Sequence, residues 1–193
     1  GSTALQNNTA SDNVAVGYQA LYANTTGTVN VAVGKALGSN TTGGNNIGIG
    51  FASLNFNTTG SQNVAMGRDA LKTNTTADNN VAVGYQAGYL NTTGTENVAI
   101  GANALDANTT GSSNVAVGQG ALDANTTADN NTAVGHDSMK VNTTGAENSA
   151  LGKGALNANT TGSYNTALGR SALLLNTSTS YNTAVGYQAL SGA

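Results

Sequence analysis

The sequence predicts an all-β fold, a parallel β-solenoid (β-roll) of about eleven coils that spans residues 1–193 as a single domain. Three observations predict it: a 17-residue unit repeats along the chain, every unit has glycine at the same place, and two short apolar stretches recur in each unit. A unit this short cannot bury its own apolar face, so it is stabilised by stacking on its neighbours. The units begin at Asn13, Asn30, Asn46, Asn63, Asn80, Asn97, Asn114, Asn131, Asn148, Asn165 and Asn182.

The first apolar stretch of a coil reads Asn-Val-Ala-Val-Gly, with positions counted from the asparagine. Position four is always aliphatic, from Val16 to Val185, and position three is alanine in every coil except at Gly48. A second stretch, such as Ala20-Leu21, follows at positions eight and nine. We expect a short β-strand at each stretch and an aliphatic core made by position four and the leucine column. We expect position three to lie in a narrow interior or against another backbone. Both faces of the strand would then be at least partly covered. This favours an oligomer, most simply a homotrimer.

Glycine at position five and the Asn-Thr-Thr-Gly segment, residues 24–27 in the first coil, predict the turns between these strands. They also exclude helices, because no segment between them reaches ~10 residues. Stacked asparagines can form amide ladders, and we assign a turn or ladder role to Asn13, Gly17, Asn24, Asn80, Gly84, Asn114 and Gly118. The Asn-Thr-Thr triplets also match the N-glycosylation pattern, but glycans every ~4.8 Å along one edge could not all fit.

One coil is shorter than the rest. Asn30 and Asn46 are 16 residues apart, because the segment Gly34-Lys35-Ala36-Leu37 lacks one residue of the usual Gly-x-x-Ala-Leu. At the chain ends, Gly1-Ser2 resembles a cloning scar, and the last coil stops at residues 191–193. We therefore expect the chain to be a piece of a longer fibre.

The composition excludes several function classes. Charged residues make up 8% of the chain and the net charge is −3, so no basic surface for nucleic acid is expected. There is no cysteine for a disulfide or a thiolate metal site. No apolar run approaches the ~18 residues of a membrane span, so membrane insertion is not expected. No cofactor is predicted.

Position six holds the most varied outward residues of the repeat. Aromatic and basic side chains alternate there, and the candidate ligand-binding stripe comprises Tyr18, Lys35, Phe51, Arg68, Tyr85, His136, Lys153, Arg170 and Tyr187. Such a stripe could bind sugars, a host receptor or an anionic surface. The alternative is a solvated edge on which residue identity matters little.

Catalysis is not expected. Asp106 and Asp123 occupy the same place on adjacent coils, and paired carboxylates can hydrolyse glycosides. However, the single histidine, His136, allows neither a nucleophilic triad nor a metal site built on several histidines. The sequence therefore predicts that the chain is not an enzyme, and a glycosidase tailspike is the weakest of the functional hypotheses.

The pentad Asn-Val-Ala-Val-Gly, at residues 13–17, 80–84 and 114–118, resembles the head repeats of YadA-like trimeric autotransporter adhesins. The longer unit at residues 182–190 is similar to repeats in bacterial and phage tail-fibre proteins. The resemblance implies a left-handed β-roll and a homotrimer displayed at a cell or virion surface. The coil is longer than the adhesin head repeat, and no stalk, anchor or chaperone segment is present in this sequence.

These observations favour a structural or adhesive segment of an extracellular or virion surface fibre, which spaces or presents a binding surface. The alternative from another class is an ice-binding solenoid. In that hypothesis Asn24 and Thr26 share an outward face, and their equivalents form a regular Asn/Thr array.

Overall fold

A computed structural model describes residues 1–192 as a stack of parallel β-coils, which confirms the predicted fold class. Each coil contributes one three-residue strand, and neighbouring strands pair in parallel in the order of the sequence. No helical segment occurs between residues 1 and 192. The strands are β1 (Val14–Val16), β2 (Val31–Val33), β3 (Ile47–Ile49), β4 (Val64–Met66), β5 (Val81–Val83), β6 (Val98–Ile100), β7 (Val115–Val117), β8 (Thr132–Val134), β9 (Ser149–Leu151), β10 (Thr166–Leu168) and β11 (Thr183–Val185).

The register places like residues above like. Ala116 of β7 pairs with Ala99 of β6 and with Ala133 of β8, and every other strand pair keeps the same alignment. The short second coil keeps it too, since Val31 pairs with Ile47. The missing residue therefore lies outside the strand, and each position of the repeat forms a continuous column along the rod.

The interior of the solenoid is thin. Position three points inward, as Ala116 at 0% exposure shows, and it packs with the alanines of position eight and the leucines of position nine. A methyl group placed on Gly48 would lie 3.1 Å from Cβ of Ala36 and 3.3 Å from Cγ of Leu37. Only alanine or glycine fits this column, so the predicted narrow interior is confirmed.

The predicted role of position four in the core is wrong. Side chains alternate along a strand, so positions two and four both face away from the interior that position three enters. Leu151, for example, is 50% exposed, whereas Ala150 beside it is 1% exposed. The leucine column crosses the interior from the opposite wall and fills it against the alanines, which leaves no space for a second large side chain.

The predicted second strand is also absent. At positions seven and nine the backbone is left-handed, with φ of 54° at Asp137 and 51° at Leu122. The left-handed conformation costs about 1–2 kcal/mol for a residue other than glycine. Sequence propensity therefore did not predict this backbone. The N–H of Leu122 donates to the carbonyl of Ser138 at 3.1 Å, and that of Ala124 to Lys140 at 3.0 Å. Bonds to the next coil and burial of the leucine offset the strain.

Glycine at position five is required by the corner that follows the strand. Gly118 has a φ of 131°, which other residues rarely adopt. A Cβ atom at Gly118 would also lie 2.6 Å from the carbonyl oxygen of Gly135 in the next coil. Conformation and close approach together therefore explain why this column contains only glycine.

The inward orientation of position three can be tested with Ala116→Leu. The larger side chain would overpack the thin interior, and we expect a loss of about 1–3 kcal/mol in unfolding free energy. The matched control is Val117→Leu. The Val117 side chain points outward, and leucine already occurs in its column at Leu151 and Leu168. Thermal unfolding followed by circular dichroism measures both. Equal melting temperatures for Ala116→Leu and the wild type would contradict the inward orientation.

Candidate functional site

Two columns of buried asparagines run side by side through the solenoid. At position twelve, the Nδ2 group of each asparagine donates to Oδ1 of the asparagine one coil earlier, over distances from 2.6 to 3.2 Å. The ladder comprises Asn8, Asn24, Asn40, Asn57, Asn74, Asn91, Asn108, Asn125, Asn142, Asn159 and Asn176. At position one, the backbone N–H of Asn131 donates to Oδ1 of Asn114 at 3.0 Å.

The position-fifteen carbonyl joins the two columns. In the eighth coil, the carbonyl of Gly145 accepts from Nδ2 of Asn131 at 2.8 Å and from Nδ2 of Asn142 at 2.9 Å. Both protons of the Asn142 amide are then used, and its Oδ1 accepts from Asn159. The predicted asparagine ladder is confirmed and contains Asn24. The side chains of Asn13, Asn80 and Asn114 lie in the neighbouring column and donate to the position-fifteen carbonyls that join the two columns.

The inward direction of position twelve corrects the predicted Asn/Thr array. Asn24 is 0% exposed, so it does not share an outward face with Thr26, and only the threonine column remains on the surface. The same burial argues against N-glycosylation of the Asn-Thr-Thr triplets and favours their assignment as turns. Their amide nitrogens already donate two hydrogen bonds, as Asn24 does to Asn8 and Gly27, and a glycan could not reach them.

The candidate stripe at position six forms one column on the surface. Eight of its nine residues are exposed and Lys35 is half-buried. Cations lie over the neighbouring rings: Lys35 Nζ and Arg68 Cζ are each 6.0 Å from the centroid of Phe51, and Arg170 Cζ is 5.8 Å from that of Tyr187. At such distances a cation and a ring attract. Cations and rings alternate from Tyr18 to Tyr85, and three basic residues follow one another from His136 to Arg170.

Position ten forms a second varied column, which the sequence analysis did not single out beyond its two aspartates. On five consecutive coils it presents Lys72, Tyr89, Asp106, Asp123 and Lys140. Lys72 Nζ lies 5.3 Å from the Tyr89 ring centroid, and Lys140 pairs with Asp137 at 3.1 Å. The sequence signal for this surface is that the residue type at position ten changes from coil to coil, as it does at position six.

Asp106 is the least compensated ionisable group of this column. Its Oδ1 atom is buried and has no hydrogen-bond partner among residues 1–192. Burial, and secondly the charge of Asp123, raise the pKa of Asp106 to about 6. Burial also raises the pKa of Asp123. By contrast, Asp69 contacts Lys72 at 3.0 Å, and the hydrogen bond between them raises the pKa of Lys72.

These groups do not converge on one point. Asp106 and Asp123 are followed along the column by Lys140, and the one histidine, His136, contacts Asp137 at 3.1 Å instead. Within residues 1–192 no cluster of three or more His, Asp or Glu side chains could hold a metal ion, and no helix in that range is long and apolar enough to cross a membrane. That the chain is not an enzyme stays a prediction.

The outward face of the sheet is an apolar strip. Position four presents Val, Ile, Met or Leu on every coil, position two presents Val or Ile on the first seven coils, and none of these side chains is fully buried. In the last four coils position two is Thr or Ser. There a shallow groove of about 180 Å³ opens between the longer Leu151 and Leu168 and the shorter Ser149 and Thr166.

Comparison with protein-family models, curated proteins and solved structures gives no match to this chain. The resemblance to trimeric adhesin heads and tail-fibre repeats, carried by the pentad at residues 13–17, therefore stays a prediction.

The asparagine ladder can be tested with Asn125→Asp. A carboxylate cannot donate, so the bonds from residue 125 to Asn108 Oδ1 (3.0 Å) and to the Ala128 carbonyl (3.1 Å) would be lost. Asn108 Oδ1 would then be unpaired, the Ala128 carbonyl would keep only its bond from Asn114 Nδ2, and a carboxylate would be buried beside them. We therefore expect a loss of about 2–5 kcal/mol in unfolding free energy. The control, Asn130→Asp, makes the same chemical change at an exposed residue and should alter the melting temperature little. A similar shift in the two variants would refute the role of the ladder.

Proposed function

We propose that this chain is a rod-like segment of an extracellular or virion surface fibre, which assembles with copies of itself and presents a binding surface along its length. The observation that carries the proposal is the apolar strip, because it runs over all eleven strands and stays open to solvent in the single chain. Eleven coils at ~4.8 Å give a strip about 50 Å long. Soluble monomers rarely leave so long an apolar surface uncovered.

An identical copy is the occupant that fits this strip best. Side chains recur on it at one constant spacing, so a partner makes the same contact on every coil only if it has the same repeat. A second copy aligned in parallel meets this condition. Three copies arranged around a common axis would cover the strips of all three chains, which supports the homotrimer that the pentad resemblance implies.

The ligand stripe at position six has the opposite character. Its side chains differ from coil to coil, as selective recognition requires, whereas a self-assembly surface needs repetition. His136, Lys153 and Arg170 follow one another on consecutive coils and are all exposed. The positive charges of Lys153 and Arg170 favour an anionic glycan or a host receptor with an acidic surface as the bound partner.

The rival functions have less support. Ice binding would depend on the Thr26 column alone, since the asparagines of the predicted array face inward. Glycoside hydrolysis would depend on Asp106 and Asp123, which are not part of the groove beside Leu151. We therefore propose that the chain acts by binding and spacing, at a cell or virion surface.

Self-assembly can be tested with the double variant Val98→Lys/Ile100→Lys, which places two charges on the apolar strip. We expect light scattering to give three times the chain mass for the wild type and a single chain mass for the variant, because charged side chains oppose burial of the strip. Thr110→Lys, on another exposed column of the same coil, should keep the wild-type mass. Val98→Thr, which copies Thr132 and Thr166 of the same column, should only weaken assembly. A wild-type chain that stays monomeric at all concentrations would contradict the proposal.

The ligand stripe can be tested with Lys153→Ala/Arg170→Ala. We expect this double variant to bind beads coated with an anionic polysaccharide at least tenfold more weakly than the wild type, with a larger difference at low salt. The control is Thr144→Ala/Thr161→Ala, on the exposed threonine column.

Ice binding predicts the reverse result. The wild type would show thermal hysteresis, which the Lys/Arg variant would retain and Thr93→Tyr/Thr110→Tyr would abolish. That result would replace the adhesive function with the ice-binding one.

A further inference from the structure

The residue missing from the second coil belongs to position seven. In the third coil, the position-seven N–H of Ala52 donates to the carbonyl of Lys35 at 2.8 Å, and each later coil repeats this bond. The carbonyl of Tyr18 has no such donor, because the second coil passes directly from Lys35 at position six to Ala36 at position eight. The defect therefore lies on the surface, between the two varied columns.

A second side chain is missing at the same place. Position ten of this coil is Gly38, the one glycine in its column. The second coil therefore lacks a residue at position seven and a side chain at position ten, and its outward wall is recessed. A cavity of about 220 Å³ opens there, lined by Gln19, Tyr22, Lys35, Gly38, Ser39 and Asn55. It spans three coils, and the second coil forms its floor.

The missing residue also leaves Asn55 without its partner. In the ninth coil, Asn157 occupies the same column and donates from Nδ2 to the position-seven carbonyl of Asp137 at 2.8 Å. The second coil has no position-seven carbonyl, so the Asn55 amide makes no hydrogen bond in the described part of the chain, and its Oδ1 lies over Gly38. A donor and an acceptor are thus free at the cavity.

The other polar side chains of the cavity are equally unengaged. Gln19, Tyr22 and Ser39 make no side-chain hydrogen bond within residues 1–192. No carboxylate in that range lies within ion-pair distance of Lys35, whose ammonium is 6.0 Å from the Phe51 ring centroid. The cavity therefore combines two amides, two hydroxyls, one aromatic ring and one unpaired cation.

We propose that this cavity binds one carboxylated sugar unit of an anionic glycan. Amide and hydroxyl groups pair with sugar hydroxyls, the Tyr22 ring offers an apolar surface to the sugar C–H groups, and Lys35 pairs with the carboxylate. The volume lies below the ~300–1,000 Å³ of sites for drug-sized ligands, so one small unit is the expected occupant. The inference rests on the proposed adhesive function and names its ligand class.

The test adds D-glucuronate to the full chain and follows the backbone amides by NMR. We expect saturable shifts centred on Gly38, Ser39 and Asn55. Insertion of one glutamine between Lys35 and Ala36 restores the 17-residue coil and should weaken binding at least tenfold while the fold is kept. Asn55→Ala should weaken it too, whereas Asn157→Ala in the same column should not. The Lys35→Ala variant should lose the preference for glucuronate over glucose, because it lacks the cation that pairs with the carboxylate.

Four outcomes would overturn the site: shifts spread evenly over all coils, binding unchanged by the insertion, acetate bound as tightly as glucuronate, or no saturable shift at all. The site and the proposed function fail separately. Bead binding that depends on Lys153 and Arg170, without a glucuronate shift at Gly38, overturns the cavity and leaves the adhesive function in place. A specific shift at Gly38 in a chain that binds no glycan-coated bead supports the cavity and removes the adhesive function.

Discussion

Each coil of this chain is held to the next by asparagine amides that are buried in the solenoid. A buried amide is costly unless its donors and acceptor are all paired, and the Asn142 amide meets this condition only when the coils before and after it are aligned. A slip of one residue between coils would leave many amides unpaired at once. The ladder therefore sets the register, and the register places each position of the repeat in a column.

The columns then decide the rest of the structure. The interior is only wide enough for alanine facing alanine and leucine, so most larger aliphatic side chains of the strands lie outside it. A thin core buries little apolar area per residue, and much of the available apolar surface remains on the outward strip. The residues that do not fit the core therefore lie on the outward strip, which is the surface of the proposed self-assembly.

Variation is concentrated in the outward columns of the repeat. Positions six and ten carry aromatic, basic and acidic side chains, while positions one, three, five and twelve hardly change. Where the repeat itself is broken, in the second coil, the ladder and the strand register still continue through Asn40 and Val31. A surface defect is tolerated because the internal columns bridge it, and this makes a cavity between coils compatible with a stable rod.

The sequence by itself determined the periodic fold, the parallel stacking, the glycine corners and the asparagine ladder, because the period and the residues repeated at each position report directly on stacked neighbours. Only the tertiary structure decided which strand face is inside. Alternation predicts two faces, but the width of the interior, set by Leu122 and its equivalents, selects the alanine face. Likewise, left-handed backbone at Leu122 runs against local propensity and is maintained by bonds to the next coil. Whether a position-ten asparagine is paired also depends on tertiary contacts: Asn157 donates to the position-seven carbonyl of Asp137, whereas Asn55 has no such carbonyl within residues 1–192.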